Sequence, residues 1–230
     1  MEYPGTDLES MSYAQNYHKW ILKSIAKCVT GNIAEIGAGS GNFSKELLSL
    51  NPQKLYSFEP SLNMFPKLDK TLEKFSNAKA SDSYFSVEEN LKLNLDTILY
   101  INVLEHIEND LEELKFSLKA LNTQGHLIIF VPALQFLFSD YDKHVGHFRR
   151  YHKEDLKTLV QEAGFNIKSI KYFDIAGVLP WYISNTLLKR SLNPKDVALY
   201  DKLVVPIMNK IEPILPLPFG KNLLLIAQKI

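Results

Sequence analysis

The chain has 230 residues, 46% of them hydrophobic and 23% charged, and Lys+Arg and Asp+Glu both number 26, so its formal net charge is zero. At this length one core removes roughly 70% of the unfolded chain's surface from water, which predicts a single domain with an elaboration. Charge balance excludes a broad electrostatic pull toward nucleic acid, and the lone Cys28 excludes an internal disulfide. The first residues, MEYPGTDLES, have neither the basic start nor the apolar core of a signal peptide, so a cytoplasmic location is expected. No apolar run approaches the ~20 residues that span a bilayer. Association with a membrane surface stays open, as does a homodimer.

In chain order, Leu8 to Val29 places Met11, Ala14, Tyr17 or His18, Ile21, Ile25 and Cys28 or Val29 on one helical stripe, predicting an amphipathic helix within residues 8–30. Strand candidates follow as NIAEIGA, KLYSFEPS, AKASDSYF, LDTILYINV, GHLIIFVPA, NIKSIKYFDI and KNLLLIAQK. Between the earlier ones stand FSKELLSL, LDKTLEKF, DLEELKFSLKAL and HKEDLKTLVQEAGF with helical period, the last closed by Gly164 after its C-cap. This alternation predicts an α/β fold, a mostly parallel, doubly wound sheet of about seven strands, because parallel strands need crossover connections and helices usually supply them. The strands are nearly unbroken apolar runs, as strands covered on both faces should be. After Ile175, Pro180, Pro194, Pro206, Pro213, Pro216 and Pro218 punctuate apolar helical pieces. The expected layout is one domain over residues 1–230, with a core at 31–175, a helical insertion at 176–221 and a last strand at 222–230.

The stretch IAEIGAGSGNFS sets Gly37, Gly39 and Gly41 two apart behind a strand that carries a single acid, Glu35. A strand that ends in glycines and hands over to a helix brings bare backbone and a helix N-terminus close to a ligand. The dinucleotide fingerprint would need a third glycine at position 42, where Asn42 stands. E-x-G-x-G-x-G instead resembles motif I of the class I S-adenosylmethionine (SAM) dependent methyltransferases. That resemblance covers residues from about Tyr17 to Ile175 plus the last strand. It implies a Rossmann-like sheet with an antiparallel last strand, and SAM as cofactor with S-adenosylhomocysteine as product. The glycine loop, with Ala38, would pass the methionine part of SAM, and Glu35 would accept from its ammonium. Glu59, followed by Pro60 at the second strand's end, would accept both ribose hydroxyls. Asp82 would accept from the adenine amino group, and the Ser83 N–H would donate to a ring nitrogen. The segment DTILYINVLEHIEND resembles the LEH stretch of the superfamily, so Asn102 and Val103 would line the pocket, while His106 is equally a helix-start residue. Tyr17, and with it Trp20, would close over the cofactor or simply pack in the core.

Methyl transfer asks mainly that nucleophile and methyl be close and aligned, with a base where the acceptor is a hydroxyl. The richest candidate for that work is FSDYDKHVGHFRRYHKEDL, which resembles a D-x-x-x-GH-x-RRY stretch in a branch of these methyltransferases associated with bacterial glycan and secondary-metabolite clusters. His144 or His147 is the expected general base, with Asp142 as the other candidate. Arg149, Arg150, Tyr151 and Trp181 are expected on the acceptor, with one arginine paired to an acid such as Asp142 and the other facing the ligand. The i, i+3 spacing of His144 and His147 also suggests metal ligands with Asp140 or Asp142, but Gly146 between them argues against a rigid helix, so no metal is expected. The expected acceptor is a small molecule or carbohydrate, lipid-linked if residues 176–221 form a lid with Lys189 and Arg190 at a phosphate, and no nucleic acid. A nicotinamide-dependent oxidoreductase and a catalytically silent SAM-binding subunit are the alternatives.

Overall fold

The computed structural model describes residues 13–190 and 193–230. Helix α1 (Gln15–Ile25) ends in a 3-10 turn, Ala26–Cys28, and leads into β1 (Asn32–Ile36), α2 (Asn42–Leu48), β2 (Lys54–Phe58), α3 (Phe65–Leu72), β3 (Ala78–Ser81) and β4 (Leu95–Ile101). Then come α4 (Asp110–Ala120), β5 (Leu121–Pro132), α5 (Asp140–His144), α6 (Lys153–Glu162) and β6 (Asn166–Phe173). Residues 178–214 hold α7 (Val178–Trp181) running into a π-turn (Tyr182–Leu187), then α8 (Pro194–Leu203) and α9 (Val205–Ile211), and β7 (Asn222–Gln228) closes the sheet. Of the predicted first helix, Leu8 and Met11 lie outside the described residues. The third strand stops at Ser81, earlier than expected, where Ser81 Oγ bonds Ser83 Oγ at 2.9 Å and the chain turns off the sheet edge.

The sheet order is β3-β2-β1-β4-β5-β7-β6, parallel except for β7, which runs antiparallel to both β5 and β6. The class I methyltransferase fold is therefore present, including its reversed last strand. Alternation along each strand divides the core in two. Leu127, Ile129 and Val131 of β5 face one apolar cluster, while Ile128 and Phe130 face the other with Trp20, Ile21 and Ile25 of α1. Strand order reverses between β1 and β4, and the cleft beyond their carboxyl ends is where ligands bind in such sheets.

Residues 178–214 are tied to this frame by buried carboxylates. Helix α1 has no side-chain cap of its own. Asp201 of α8 replaces it, its Oδ2 accepting from Asn16 N–H at 3.0 Å and its Oδ1 from Tyr17 N–H at 2.8 Å, so two of the helix's orphan donors and its positive end meet a remote carboxylate. Asp174, fully buried at the end of β6, accepts from the hydroxyls of Tyr17 and Tyr200 and pairs with Lys221 Nζ at 2.8 Å. Glu212 in turn accepts the N–H groups of Asp174 and Ile175 at 2.9 and 2.8 Å. One knot of side chains thus fixes the start of β7 against α1 and α8.

Candidate active site

A cavity of about 1250 Å³ opens at the switch in strand order. Its cofactor-facing wall is largely main chain. Gly37, Gly39 and Gly41 all have left-handed φ, of +65°, +57° and +82°. At Gly37 a side chain would also collide, since an added Cβ would lie 2.5 Å from Val103 Cγ2, so the first turn can approach the β4 turn only as glycine. The Ala38 N–H donates to Phe58 O at 3.0 Å, and Glu59 Oε2 accepts from the Gly39 N–H at 2.7 Å while its Oε1 accepts from Ser61 N–H at 2.9 Å. Each Glu59 oxygen keeps a further acceptor site. Glu35 is 3% exposed and takes the Ser44 and Ser57 hydroxyls on Oε2; burial pushes its carboxyl up to about 7 against the pull of those two hydroxyls.

A second part of the wall is made of buried ionisable side chains. Helix α5 begins with Ser139 and Asp142 in a reciprocal capping box and ends at His144, after which Gly146 at φ +89° turns the chain inward. That turn delivers His147. Its Nδ1 lies 3.0 Å from Asp142 Oδ1, and its Nε2 lies 3.8 Å from Glu105 Oε1. Burial pushes Asp142 up, but the His147 hydrogen bond, the Arg150 guanidinium and the Ser139 N–H together hold its carboxyl below its usual value. A carboxylate at Asp142 assigns the proton to Nδ1 and leaves the Nε2 lone pair facing Glu105. Glu105 is fully buried, neither of its carboxylate oxygens has a hydrogen-bond partner among the described residues, and burial pushes it up to about 7. His106 stands edge-on to His147 with ring centroids 4.5 Å apart, and burial, then His147, push it down to about 4.

The expected site residues divide sharply. Tyr17, Glu35, Gly37, Ala38, Gly39, Glu59, Pro60, Ser83, Asn102 and Val103 line the cavity, as do His147, Arg150 and Trp181. Gly41 sits behind the wall as the N-cap of α2. Asp82 is exposed and off the cavity. His144 faces solvent on the outer side of α5 and does not reach the site. Asp142 is fully buried and outside the cavity, so it meets His147 and Arg150 rather than a substrate. Arg149 and Tyr151 also lie off the cavity, and both bind Asp110 Oδ2. Arg150 is held by Asp142 Oδ1 at 2.8 Å and lies 4.8 Å from the Trp181 ring centre. Both arginines therefore have carboxylate partners, Arg150 the Asp142 expected for one of them, and Arg150 alone also lines the cavity. Lys189 pairs with Asp140 at 3.2 Å, and both it and Arg190 are exposed, away from the cavity. A second lining cation near Trp181 is Lys221, paired with Asp174, with Nζ 5.3 Å from the Tyr17 ring centre and 5.8 Å from that of Trp181. Glu105 and Lys221 were missed in the sequence. Glu105 sits in the LEH stretch beside His106, but only its burial without a hydrogen-bond partner among the described residues marks it out, and that is a fact of folding.

A glycine turn at the end of the first strand, an acid at the end of the second and a reversed last strand are features of the class I SAM-dependent methyltransferase fold. A family model described as a methyltransferase domain matches residues 13–170. A SAM dependent methyltransferase from Archaeoglobus fulgidus superposes with a TM-score of 0.60 at 18% identity, covering 94% of each chain. The methyltransferase solved in complex with the Haloferax volcanii Trm112 activator superposes at 0.68 and 10% identity, covering 100% of this chain and 97% of that one. A tRNA U34 carboxymethyltransferase of Campylobacter concisus is 29% identical over 110 residues, 47% of this chain and 36% of that protein, so the chain spans little more than a third of that relative's length. The chain belongs to the methyltransferase-domain family. No helix among the described residues is long and apolar enough to cross a membrane.

Proposed function

We propose that the protein transfers a methyl group from SAM to a hydroxyl of a small-molecule or carbohydrate acceptor, and that this hydroxyl docks against Glu105, His106 and His147. The observation that carries this reading is one continuous cavity lined both by the glycine turn and by Glu105, whose carboxylate has no hydrogen-bond partner among the described residues and lies 3.8 Å from His147. The residues present fit the cofactor. The bare backbone at Gly37 admits close approach, buried Glu35 suits an ammonium, and the Glu59 oxygens suit two ribose hydroxyls. When bound, SAM supplies a methyl group already activated on a sulfonium. The chain's own work is then to hold the acceptor oxygen in line, to exclude water and to make loss of the hydroxyl proton easy. Asp142 and Arg150 keep the His147 ring in place, and Trp181 with Lys221 forms the wall an acceptor passes.

The curated relative acts on tRNA by its name, but two features favour a small acceptor here. Net charge is zero. Among the lining residues, Glu35, Glu59, Glu105, Glu108, Glu112 and Glu113 outnumber Lys115, Lys119, Arg150 and Lys221, a poor footprint for a phosphate backbone. The exposed apolar side chains Leu179, Ile183, Leu187 and Leu188 beside the Trp181 wall favour an acceptor with an apolar portion, a lipid-linked sugar among them. The test is incubation with methyl-labelled SAM and two fractions of the source's own extract, total RNA and the organic-soluble metabolites. Label in a hydroxyl-bearing metabolite is expected; label confined to RNA overturns the reading.

A further inference from the structure

We infer that Glu105, His106 and His147 form a binding site for one divalent transition-metal ion, of the Mn²⁺, Co²⁺ or Zn²⁺ kind, against which the acceptor hydroxyl ionises. The inference rests on the proposed docking of that hydroxyl at this cluster. Each of the three residues offers one donor atom, and the three atoms lie within 4.8 Å of one another. These are not the histidines the sequence spacing suggested, since His144 lies outside the cavity and Asp142 supports the site from behind.

Three observations converge. The first is the unsatisfied Glu105, a fully buried carboxyl with no hydrogen-bond partner among the described residues. A buried acceptor left without a partner is costly, and its side chain faces the donor atoms of His147 and His106. The second is a separation. Glu105 Oε1 and His147 Nε2 are 3.8 Å apart, too far for one proton to bridge as a hydrogen bond. Two donors each about 2.1 Å from a common ion lie roughly 3–4 Å apart, so this gap has the width of a metal bite. The third is the support behind the ring. Asp142 accepts from His147 Nδ1 at 3.0 Å, which turns the Nε2 lone pair into the cluster in the carboxylate–histidine arrangement that metal ligands commonly have. His106 is likewise steadied, by a hydrogen bond to the Gly146 backbone.

Charge does not oppose the site, because the Arg150 guanidinium nearby is already matched by Asp142 at 2.8 Å. Two imidazoles and one carboxylate, with the remaining positions open to a cavity, suit borderline first-row ions better than Ca²⁺ or Mg²⁺. A hydroxyl at an open position would lose its proton to water while its electron pair stays on oxygen, stabilised by the ion. No redox change is involved.

The experiment uses the full chain, treated with a chelator and titrated with MnCl₂ alone by calorimetry and electron paramagnetic resonance, without SAM or acceptor. One Mn²⁺ per chain is expected, with Glu105→Gln and, separately, His106→Ala each weakening it at least tenfold. SAM binding of each variant serves as the control for folding. Absence of a stoichiometric Mn²⁺ or Zn²⁺ site in the wild type overturns the inference, as does unchanged affinity in both variants. Once an acceptor is known, chelation should lower transfer and Mn²⁺ restore it, and transfer indifferent to chelation also overturns it. A Mn²⁺ site removed by Glu105→Gln supports the inference even where no hydroxyl acceptor is found; that failure then counts against the acceptor reading alone.

Discussion

The two walls of the cavity are made of different material. Around Gly37 the wall is backbone, held by N–H donors on Glu59 and by the close approach of Val103. Around His147 it is a set of buried charges, in which Asp142 serves the imidazole and the Arg150 guanidinium together. Main chain can hold a cofactor common to a whole family while its neighbours vary, whereas buried charge partners must all be right at once. The comparison predicts that the walls fail separately. The largest effect is expected at His147. His147→Ala should lower the methyl-transfer rate by about 10²–10⁴ while SAM affinity stays within about twofold. Initial rates of S-adenosylhomocysteine release, set beside calorimetry of SAM, check both halves, and an equal loss of affinity would show that the walls are not independent.

The backbone wall breaks differently. Gly37→Ala meets both a left-handed φ of +65° and a Cβ contact of 2.5 Å to Val103 Cγ2. Strain of about 1–2 kcal/mol and overpacking of about 1–3 kcal/mol should lower stability by roughly 2–5 kcal/mol in urea unfolding. Adding Val103→Ala removes the colliding methyl groups, so the double variant should recover the packing part and retain only the strain. A smaller effect is expected at Glu59. Glu59→Gln should weaken SAM by about 1.5–3 kcal/mol, through lost charge-assisted hydrogen bonds, and leave the rate at saturating SAM nearly intact.

The same division explains what the sequence made legible. Glycines two apart after an apolar run, and an acid at the end of the next strand, are local signals whose geometry follows from strand and turn, so Gly37, Gly39 and Glu59 could be singled out from that spacing and its resemblance to motif I, and all three line the cavity. The far wall depends on partners distant in the chain. Nothing local tells that Arg149 finds Asp110 while Arg150 finds Asp142, or that Glu105 reaches His147 across some forty positions. Of His144 and His147 only the second lines the cavity, following the left-handed turn at Gly146 just after α5. The insertion was visible as apolar pieces between prolines. Its attachment through Asp174, Asp201 and Glu212 was not, because a buried acid and a surface acid look alike before folding.

The smallest effect would sharpen the comparison most, since it asks whether the backbone wall carries a working charge of its own. Burial raises Glu35 to about 7, with the nearby Glu59 charge adding to the rise and the Ser44 and Ser57 hydroxyls opposing it. In the ligand-free protein Glu35 therefore holds its proton over a range where the unfolded chain has lost it. Below about 4.5 both states are protonated and Glu35 costs nothing; as pH rises from there toward 7 the folded state binds more protons than the unfolded one, so stability falls across that window. SAM reverses the preference if its ammonium sits by this carboxylate, because the ionised form is then favoured and binding releases a proton. Affinity for SAM should accordingly rise about five- to tenfold between pH 6 and 7.5, roughly 1 kcal/mol, with the calorimetric heat depending on the buffer's ionisation enthalpy. Glu35→Gln, which keeps an oxygen for the two serine hydroxyls, should bind more weakly above pH 7 and lose both the slope and the buffer dependence. A wild type whose affinity is flat across this window would leave Glu35 as a buried brace between Ser44 and Ser57, with no working charge at that point of the backbone wall.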